Sequence, residues 1–248
     1  MKVLVFKKEL IYRALLLMVL VSVSVFAILF AVKAIVRQMP VSTGDITIMI
    51  DPGHGGIDGG ATVAGILEKD INLDISLKVR THLILRGYKV AMTREEDVSL
   101  EKYSRTNKSR YHRDLDARVE MINNCGARLF VSIHTNCNLK APRANSAIVF
   151  YSNSFQENKT LAYCIQKELN SLTFNDIGRA VHDPRVSDYF ILKRTKMPGV
   201  IVETAFLSNP QDRKLLMDNE FREEIAEAVA AGIDSYFTSL HSKVMVSF

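Results

Sequence analysis

The chain has 248 residues, of which 48% are hydrophobic and 24% charged, with 12 Gly and 3 Cys. This is an ordinary globular composition, and it excludes the collagen-like, disulfide-scaffold and intrinsically disordered classes. The formal charge of +5 belongs to residues 1–40, which hold six of the 32 basic residues and one of the 27 acidic ones. The remainder has no net charge to offer a phosphate backbone, so no nucleic-acid partner is expected.

An uncharged apolar run occupies residues 14–32. A helix of this length extends about 28 Å, close to the hydrocarbon thickness of a bilayer. Four basic residues precede the run, which predicts a cytoplasmic N-terminus and a body outside the cytoplasmic membrane. We expect residues 1–35 to form a signal anchor or transmembrane helix and 36–45 a linker. A cleaved signal peptide, with residues 25–27 as the cleavage site, is the open alternative.

From residue 46 onward, strand-like and helix-like patterns alternate. Short β-branched or aromatic runs predict strands buried on both faces, at 46–50, 88–92, 128–133, 147–151 and 200–202. Apolar residues at helical spacing predict helices, at 68–86, 114–124, 156–171 and 219–237. This alternation predicts a single α/β domain over 46–238 with a largely parallel sheet flanked by helices. Residues 239–248 are a short tail.

Two further segments have local signals. Asn209 followed by Pro210 is typical of a helix start, because Asn caps the first turn and Pro suits its first position. The polar, basic segment 97–113 is typical of a solvated loop near the substrate face.

Polar residues stand at the ends of the predicted strands, where open α/β sheets collect their functional groups. His54 follows the first strand, His134 ends the third and Glu203 follows the last, while Glu68 opens the first long helix. Two imidazoles and a carboxylate are the ligand set of a catalytic zinc, and a further carboxylate can act as a base. Taken singly, these residues also fit a surface histidine or a first-turn helix acid. A phosphate-binding role for the glycines of 53–60 is weak, because no Lys-Ser/Thr pair follows them.

Three cysteines, Cys125, Cys137 and Cys164, fall in no CxxC pattern, and their odd number leaves at least one without an intrachain partner. We interpret each as a small buried hydrophobe. Cys137 lies three positions after His134, and a strand would direct these two side chains to opposite faces.

Several separated motifs resemble those of zinc-dependent N-acetylmuramoyl-L-alanine amidases of the amidase_3 type. They are IDPGHGGIDGGA at 50–61, TREED at 93–97, SIHTN at 132–136 and VETAFLSNP at 202–210, and the resemblance covers 46–238. It implies that His54, Glu68 and His134 bind zinc and that Glu203 is the catalytic acid/base. The implied reaction cleaves the amide between the lactyl group of N-acetylmuramic acid and the L-alanine of peptidoglycan stem peptides.

A finer similarity concerns DYFILK at 188–193 and the N-terminal apolar segment. These resemble the CwlD-type, germination-specific branch of endospore-forming bacteria. The resemblance implies a role in spore-cortex maturation, where muramic-δ-lactam forms, in the intermembrane space of the forespore. Implied partners are peptidoglycan, the membrane and an accessory activator protein.

Roles beside the ligand set are less sharply defined. Asn136 is a candidate donor to the substrate or to the tetrahedral oxyanion, and equally a capping residue after its strand. Asp51, Arg94 and Arg118 are expected to fix loops or to orient a ligand histidine. Two other functions remain open: a vegetative autolysin or cell-separation amidase, and a catalytically idle wall-binding module.

Overall fold

The computed structural model describes residues 8–38, 44–106, 108–173 and 179–246. The chain divides into two compact units, Met1–Val41 with Val244–Phe248, and Ser42–Lys243. In the first unit, helix α1 extends over Lys8–Gln38, and its large apolar side chains between Leu15 and Ile28 are exposed. No helix in the described ranges is both long and apolar enough to cross a membrane. The membrane role of residues 14–32 stays a prediction.

The second unit is built on a six-stranded sheet with strand order β4-β1-β5-β8-β6-β7. Its strands are β1 (Thr47–Pro52), β4 (Lys89–Met92), β5 (Leu129–Asn136), β6 (Ile148–Tyr151), β7 (Arg185–Val186) and β8 (Gly199–Phe206). Strands β4, β1, β5 and β8 are mutually parallel, whereas β6 runs antiparallel to β8. The prediction of an α/β domain with a largely parallel sheet is confirmed.

Within the described residues, six α-helices follow in the chain: α2 (Glu68–Leu85), α3 (Arg110–Asn124), α4 (Gln156–Asn170), α5 (Phe190–Arg194), α6 (Pro210–Leu216) and α7 (Asn219–Val246). The sheet separates two hydrophobic clusters. The larger contains apolar residues of α2, α4 and α7, and the smaller contains those of α3 and α5. All eight residues of β8 are buried, which confirms the predicted burial on both faces.

Local sequence explains how several of these elements begin. The Asn209 side chain accepts hydrogen bonds from the backbone N–H groups of Gln211 and Asp212, and Pro210 opens α6, as predicted. On α2, Ile71, Ile75, Val79 and Leu83 are all buried in the larger cluster. Their four-residue spacing therefore marks the face that packs on the sheet.

The segment 97–113 differs from its prediction as a single loop. It contains a turn of 3₁₀ helix at Glu101–Tyr103, and α3 begins at Arg110 rather than at 114. Ser109 caps α3 by accepting a hydrogen bond from the backbone N–H of His112. The first turn of α3 is polar and exposed, so it has no apolar periodicity to reveal it.

Other short elements also had no sequence signal of their own. These are the hairpin of β2 (Thr62–Val63) and β3 (Ile66–Leu67), strand β7 and helix α5. Cys125, Cys137 and Cys164 are half-buried rather than fully buried, so the interpretation of each as a small buried hydrophobe is only partly correct.

Candidate active site

The candidate residues meet at the carboxyl ends of three neighbouring strands. His54 follows β1, while His134 lies in β5 and Glu203 in β8. The register pairs His134 directly with Glu203 across β5 and β8. Glu68 is the first residue of α2, which follows the β2–β3 hairpin. The strand-end rule therefore brings together His54, His134 and Glu203, and the β2–β3 hairpin and the start of α2 add Glu68.

Three of these side chains converge on one point. The Oε1 atom of Glu68 lies 3.2 Å from Nε2 of His54 and 3.1 Å from Nδ1 of His134. The two imidazole rings are 5.1 Å apart and nearly perpendicular, and one donor atom of each residue lies within 4.8 Å of the others. Ligands at zinc distances in a tetrahedral site are about 3.3 Å from one another. The spacing of this donor set therefore fits a zinc ion.

His54 is oriented by a carboxylate on its far side. Its Nδ1 atom lies 2.8 Å from Oδ2 of Asp58, and Oδ1 of Asp58 accepts a hydrogen bond from the backbone N–H of Gly60. Burial alone would lower the pKa of His54, but hydrogen bonds to Asp58 and Glu68, with their charges, raise it to about 9. The carboxylates of Asp58 and Glu68 thus surround His54 with negative charge.

Glu68 is held by hydrogen bonds on both oxygens. Its Oε2 accepts from the backbone N–H of Ala61 at 2.8 Å, and its Oε1 accepts from Asn72 and from the backbone N–H of Thr135, both at 3.2 Å. Burial acts to raise the pKa of Glu68, but His134 and the other imidazole hold it well below its usual range. The carboxylate is therefore ionised, as metal ligation requires.

Two glycines make room for the converging side chains. A Cβ atom at Gly53 would lie 2.3 Å from Cε1 of His134, and one at Gly60 would lie 2.6 Å from Oε2 of Glu68. Gly60 also has a φ of +66°, a conformation that favours glycine. Side chains at these positions would displace two of the three donor groups.

Two buried arginines hold the loop that carries His54. Arg118 donates to the carbonyl oxygens of Pro52 and His54 at 2.7 and 2.6 Å, and Arg94 donates to those of Pro52 and Gly53 at 3.0 and 2.9 Å. The backbone carbonyls of residues 52–54 are thereby tied to side chains from β4's end and from α3. The expected loop-fixing role of Arg94 and Arg118 agrees with these contacts.

Asp51 is the anionic partner beneath this loop. It is almost fully buried and accepts hydrogen bonds from Arg118 and Thr93 at 2.6 Å and from Ser132 at 2.7 Å. Burial acts to raise the pKa of Asp51, but the Arg118 charge and the two hydroxyl donors lower it. Asp51 therefore shares with Asp114, which lies 2.7 Å from Arg118, the neutralisation of a buried guanidinium.

Glu203 is buried beside the donor cluster, but its carboxyl group has fewer hydrogen-bond partners than that of Glu68. Within the described residues, its Oε2 atom has no hydrogen-bond partner. Burial raises the pKa of Glu203 to about 7, and the charge of Glu68 adds to the rise while the two histidines oppose it. A carboxyl group that titrates near neutrality suits proton transfer.

Asn136 ends β5, just after a register irregularity between His134 and Asn136. Its backbone carbonyl accepts from the N–H of Leu207 at 2.7 Å. Asn136 is not the N-cap of any helix that the structure describes, so the capping alternative is wrong. Its predicted contact with substrate stays a prediction. Cys137 is outside the donor cluster found among the described residues.

Asp58 and Asn72 are site residues that the sequence reasoning missed. Asp58 stands four positions after His54, in the same glycine-rich loop, and a search for a carboxylate partner of the histidine would have found it. Asn72 stands one helical turn after Glu68, so helical spacing places both side chains on the same face. Thr135 Oγ1 donates to Oδ1 of Asn72 at 3.0 Å, a long-range contact with no local sequence signal.

The sheet and the donor cluster at its carboxyl edge define an α/β protein whose candidate active site lies at the ends of its strands. The chain belongs to the N-acetylmuramoyl-L-alanine amidase family (Amidase_3), whose pattern matches residues 48–235. It is therefore an N-acetylmuramoyl-L-alanine amidase, as the motif resemblance implied.

Individual relatives agree with this assignment. The chain is 36% identical over 192 residues to the germination-specific N-acetylmuramoyl-L-alanine amidase of Bacillus subtilis, a match that covers 77% of this chain and 79% of that one. Its fold matches the CwlD amidase of Clostridioides difficile, solved in complex with the GerS lipoprotein, with TM-score 0.70, 38% identity and coverage of 79% and 100%. AmiC2 of Nostoc punctiforme matches with TM-score 0.67, 30% identity and coverage of 79% and 98%.

Proposed function

We propose that this chain is a zinc-dependent amidase that cleaves the bond between the lactyl group of N-acetylmuramic acid and the L-alanine of the stem peptide. The observation that carries the proposal is the convergence of His54, Glu68 and His134 within 4.8 Å, beside a buried Glu203. Family membership supplies the substrate class. The donor geometry supports the metal and the roles of the individual residues.

In this proposal His54, Glu68 and His134 would hold the zinc ion. Zinc bound there would act as a Lewis acid towards the scissile carbonyl and towards water. Asp58 keeps Nε2 of His54 directed towards the site, and Asn72 with Thr135 keeps Glu68 in place. The protein thus provides a donor set that is already oriented.

Glu203 is proposed as the general acid/base. Its free, buried oxygen takes a proton from the attacking water and transfers it to the nitrogen of the departing L-alanine. The C–N bond breaks as the carboxyl product forms, and Glu203 returns to its starting ionisation. Asn136 is proposed as a donor to the substrate or to the oxyanion.

The test compares the chain with Glu203→Gln, which is nearly the same size but cannot accept the proton. We expect zinc content to be equal in both and the release of new L-alanyl amino groups from peptidoglycan to fall by about 10²–10⁴-fold. Near-normal turnover by zinc-loaded Glu203→Gln would refute the role of Glu203. A wild-type chain that binds zinc but leaves peptidoglycan intact would instead point to an idle wall-binding module or to a requirement for an activator.

We further propose a role in spore-cortex maturation, in which stem-peptide removal precedes formation of muramic-δ-lactam. Support comes from the identity to a germination-specific amidase and from the likeness to CwlD. Muropeptide analysis of spores from a deletion strain tests this: they should lack muramic-δ-lactam. Normal cortex together with unseparated vegetative cells would favour the autolysin alternative.

We infer that the amidase acts outside the cytoplasm, with residues 1–35 as its anchor or signal, 36–45 as linker and 46–238 as catalytic domain. The apolar run at 14–32 supports this arrangement. An accessory protein is also proposed, because the CwlD relative was solved with a lipoprotein. Protease accessibility in intact cells and membrane fractionation test the location, and co-purification under native conditions tests the partner.

A further inference from the structure

The two sides of the active site differ in chemistry. The strand order places β4 and β7 at opposite edges of the sheet, with the donor cluster and Glu203 on the strands between them. Six strands at about 4.8 Å spacing make a sheet about 24 Å wide. Groups on either side of a scissile amide therefore meet different parts of the surface.

On one side lies the segment that follows β4 along the chain, residues 97–113, which has excess positive charge and which we call the basic flank. Its basic residues are Lys102, Arg105, Lys108, Arg110 and Arg113. Glu101 pairs with Arg110 and Arg113, and Asp116 pairs with Lys108. Lys102 and Arg105 are exposed, and no acidic side chain among the described residues pairs with either. Since Glu101 is shared by Arg110 and Arg113, it compensates only one of them. Lys102 and Arg105 therefore add to an excess of positive charge on this flank.

The basic flank is attached to the loop that carries His54. The backbone N–H of Gly56 donates to Oδ1 of Asp97 at 2.7 Å, and Lys69 pairs with Oδ2 of Asp97 at 2.6 Å. A Cβ atom at Gly56 would lie 2.6 Å from the backbone nitrogen of Ser99, so the two segments are in close contact. The start of the segment that carries the basic residues is thus joined to the ligand loop by residues 97–99.

On the other side, Tyr189 presents an aromatic ring that is 42% exposed. This ring packs edge-on against Phe150, with centroids 5.5 Å apart. Strand pairing sets Ile148 opposite Glu203 and Phe150 opposite Ile201. Phe150 is therefore the diagonal neighbour of Glu203 on the same face, at about 7–8 Å.

The backbone at Tyr189 is also fixed. Its carbonyl accepts from the N–H of Lys193 in α5 at 3.1 Å, and Ser187 donates to the carbonyl of Tyr151 at 2.8 Å. After burial, the charges of Glu203 and Glu68 are what raise the pKa of Tyr189, which agrees with its position near the site. Tyr189 is a held, exposed aromatic ring close to the proposed acid/base.

We propose that the substrate crosses the site in one direction, with its sugar ring on Tyr189 and the carboxylate end of its stem peptide towards Lys102 and Arg105. This inference rests on the proposed function. An aromatic face packs well on the apolar C–H face of a sugar, while its hydroxyl stays in water. A peptide ends in a carboxylate, which the unpaired positive charge attracts.

The test uses the zinc-loaded full chain and two matched substrate pairs. One pair is a muramyl peptide with a C-terminal carboxylate or a C-terminal amide. The other is that muramyl peptide and a lactoyl peptide, which keeps the scissile amide but has no sugar. Wild type should prefer the carboxylate to the amide, and the muramyl to the lactoyl substrate.

Tyr189→Ala should reduce the preference for the muramyl substrate by about 2- to 12-fold in kcat/KM, mainly through KM, and leave the carboxylate preference unchanged. Tyr189→Phe keeps the ring and should behave like wild type. Tyr163→Ala is the matched control, because Tyr163 is also exposed but lies on α4, which packs on the other face of the sheet.

The double variant Lys102→Glu/Arg105→Glu should reduce the carboxylate preference by about 3- to 10-fold at low salt, with a smaller effect at high salt. Its preference for the sugar should stay. Lys167→Glu on α4 is the charge-matched control and should change neither preference. Zinc content and circular dichroism confirm that each variant folds.

If Tyr189→Ala removed the carboxylate preference instead of the sugar preference, the substrate would cross the site in the opposite direction. That result would overturn the proposal. A uniform loss on all four substrates, or no change in either preference, would also overturn it. Failure of the proposed function looks different, because zinc-loaded wild type would then hydrolyse none of the substrates.

Discussion

Asp58 holds His54 in one ring orientation: its Oδ2 atom lies 2.8 Å from Nδ1 of the imidazole, and Nε2 is thereby left facing Glu68. Since only one of the two ring nitrogens can then meet a metal, the carboxylate selects both the tautomer and the direction of the ligand.

Replacement of Asp58 by alanine should therefore weaken zinc binding by about 10- to 100-fold, because His54 loses the group that orients it. Competition with a chelator of known affinity measures the change. Asp183→Ala, at an exposed aspartate before β7, is the control and should bind zinc like wild type. Unchanged affinity in Asp58→Ala would mean that backbone contacts alone orient His54.

Gly53→Ala should distort the metal site, because the added methyl group would clash with a ligand side chain. The added methyl would lie 2.3 Å from the His134 ring, so the ring or the backbone has to move. Such overpacking costs about 1–3 kcal/mol of unfolding free energy and should also lower zinc affinity. Chemical denaturation and zinc titration measure the two effects. Gly44→Ala has open space around it and should change neither by a measurable amount.

Asp51→Asn should reduce the free energy of unfolding by about 3 kcal/mol, because it leaves Arg118 buried with part of its charge uncompensated. Urea denaturation of the purified chain measures this. Asp74→Asn removes a partner of Arg222 in a more exposed ion pair and should cost less than about 1 kcal/mol. Equal losses in the two variants would contradict the special role assigned to the buried pair.

The pKa of the Asp51 carboxyl group also predicts how the free energy of unfolding depends on pH. Its pKa is lower in the folded chain than the value of about 3.9 expected when unfolded. Its contribution is therefore complete above the unfolded pKa and is lost as pH falls through the folded pKa. Unfolding free energies measured from pH 6 downwards should fall more steeply in wild type than in Asp51→Asn. Parallel curves would show that other groups control acid unfolding.

Much of this fold was predictable because its determinants are local. The β-branched runs of β1, β5 and β8 and the apolar spacing on α2 each report burial directly, and the strand-end rule then groups His54, His134 and Glu203. What escaped prediction depends on contacts between distant segments. Strand β7 has two residues, and it forms only because it pairs with β6.

The residues around the donor cluster also depend on contacts between distant segments. Arg118 and Asp51 are 67 positions apart, and only the folded sheet brings them within 2.6 Å. Likewise, the start of α3 is polar on its exposed side, so hydrophobic periodicity begins after the helix does. Sequence patterns indicated the donor residues and a supporting role for Asp51, Arg94 and Arg118, whereas the particular contacts that orient each donor required the structure.

The clamp of Arg94 and Arg118 on the carbonyls of residues 52–54 is made entirely by the polypeptide. In the zinc enzyme proposed above, this clamp would keep the ligand loop in place when the ion is removed. A chelator should therefore inhibit the enzyme reversibly without unfolding it.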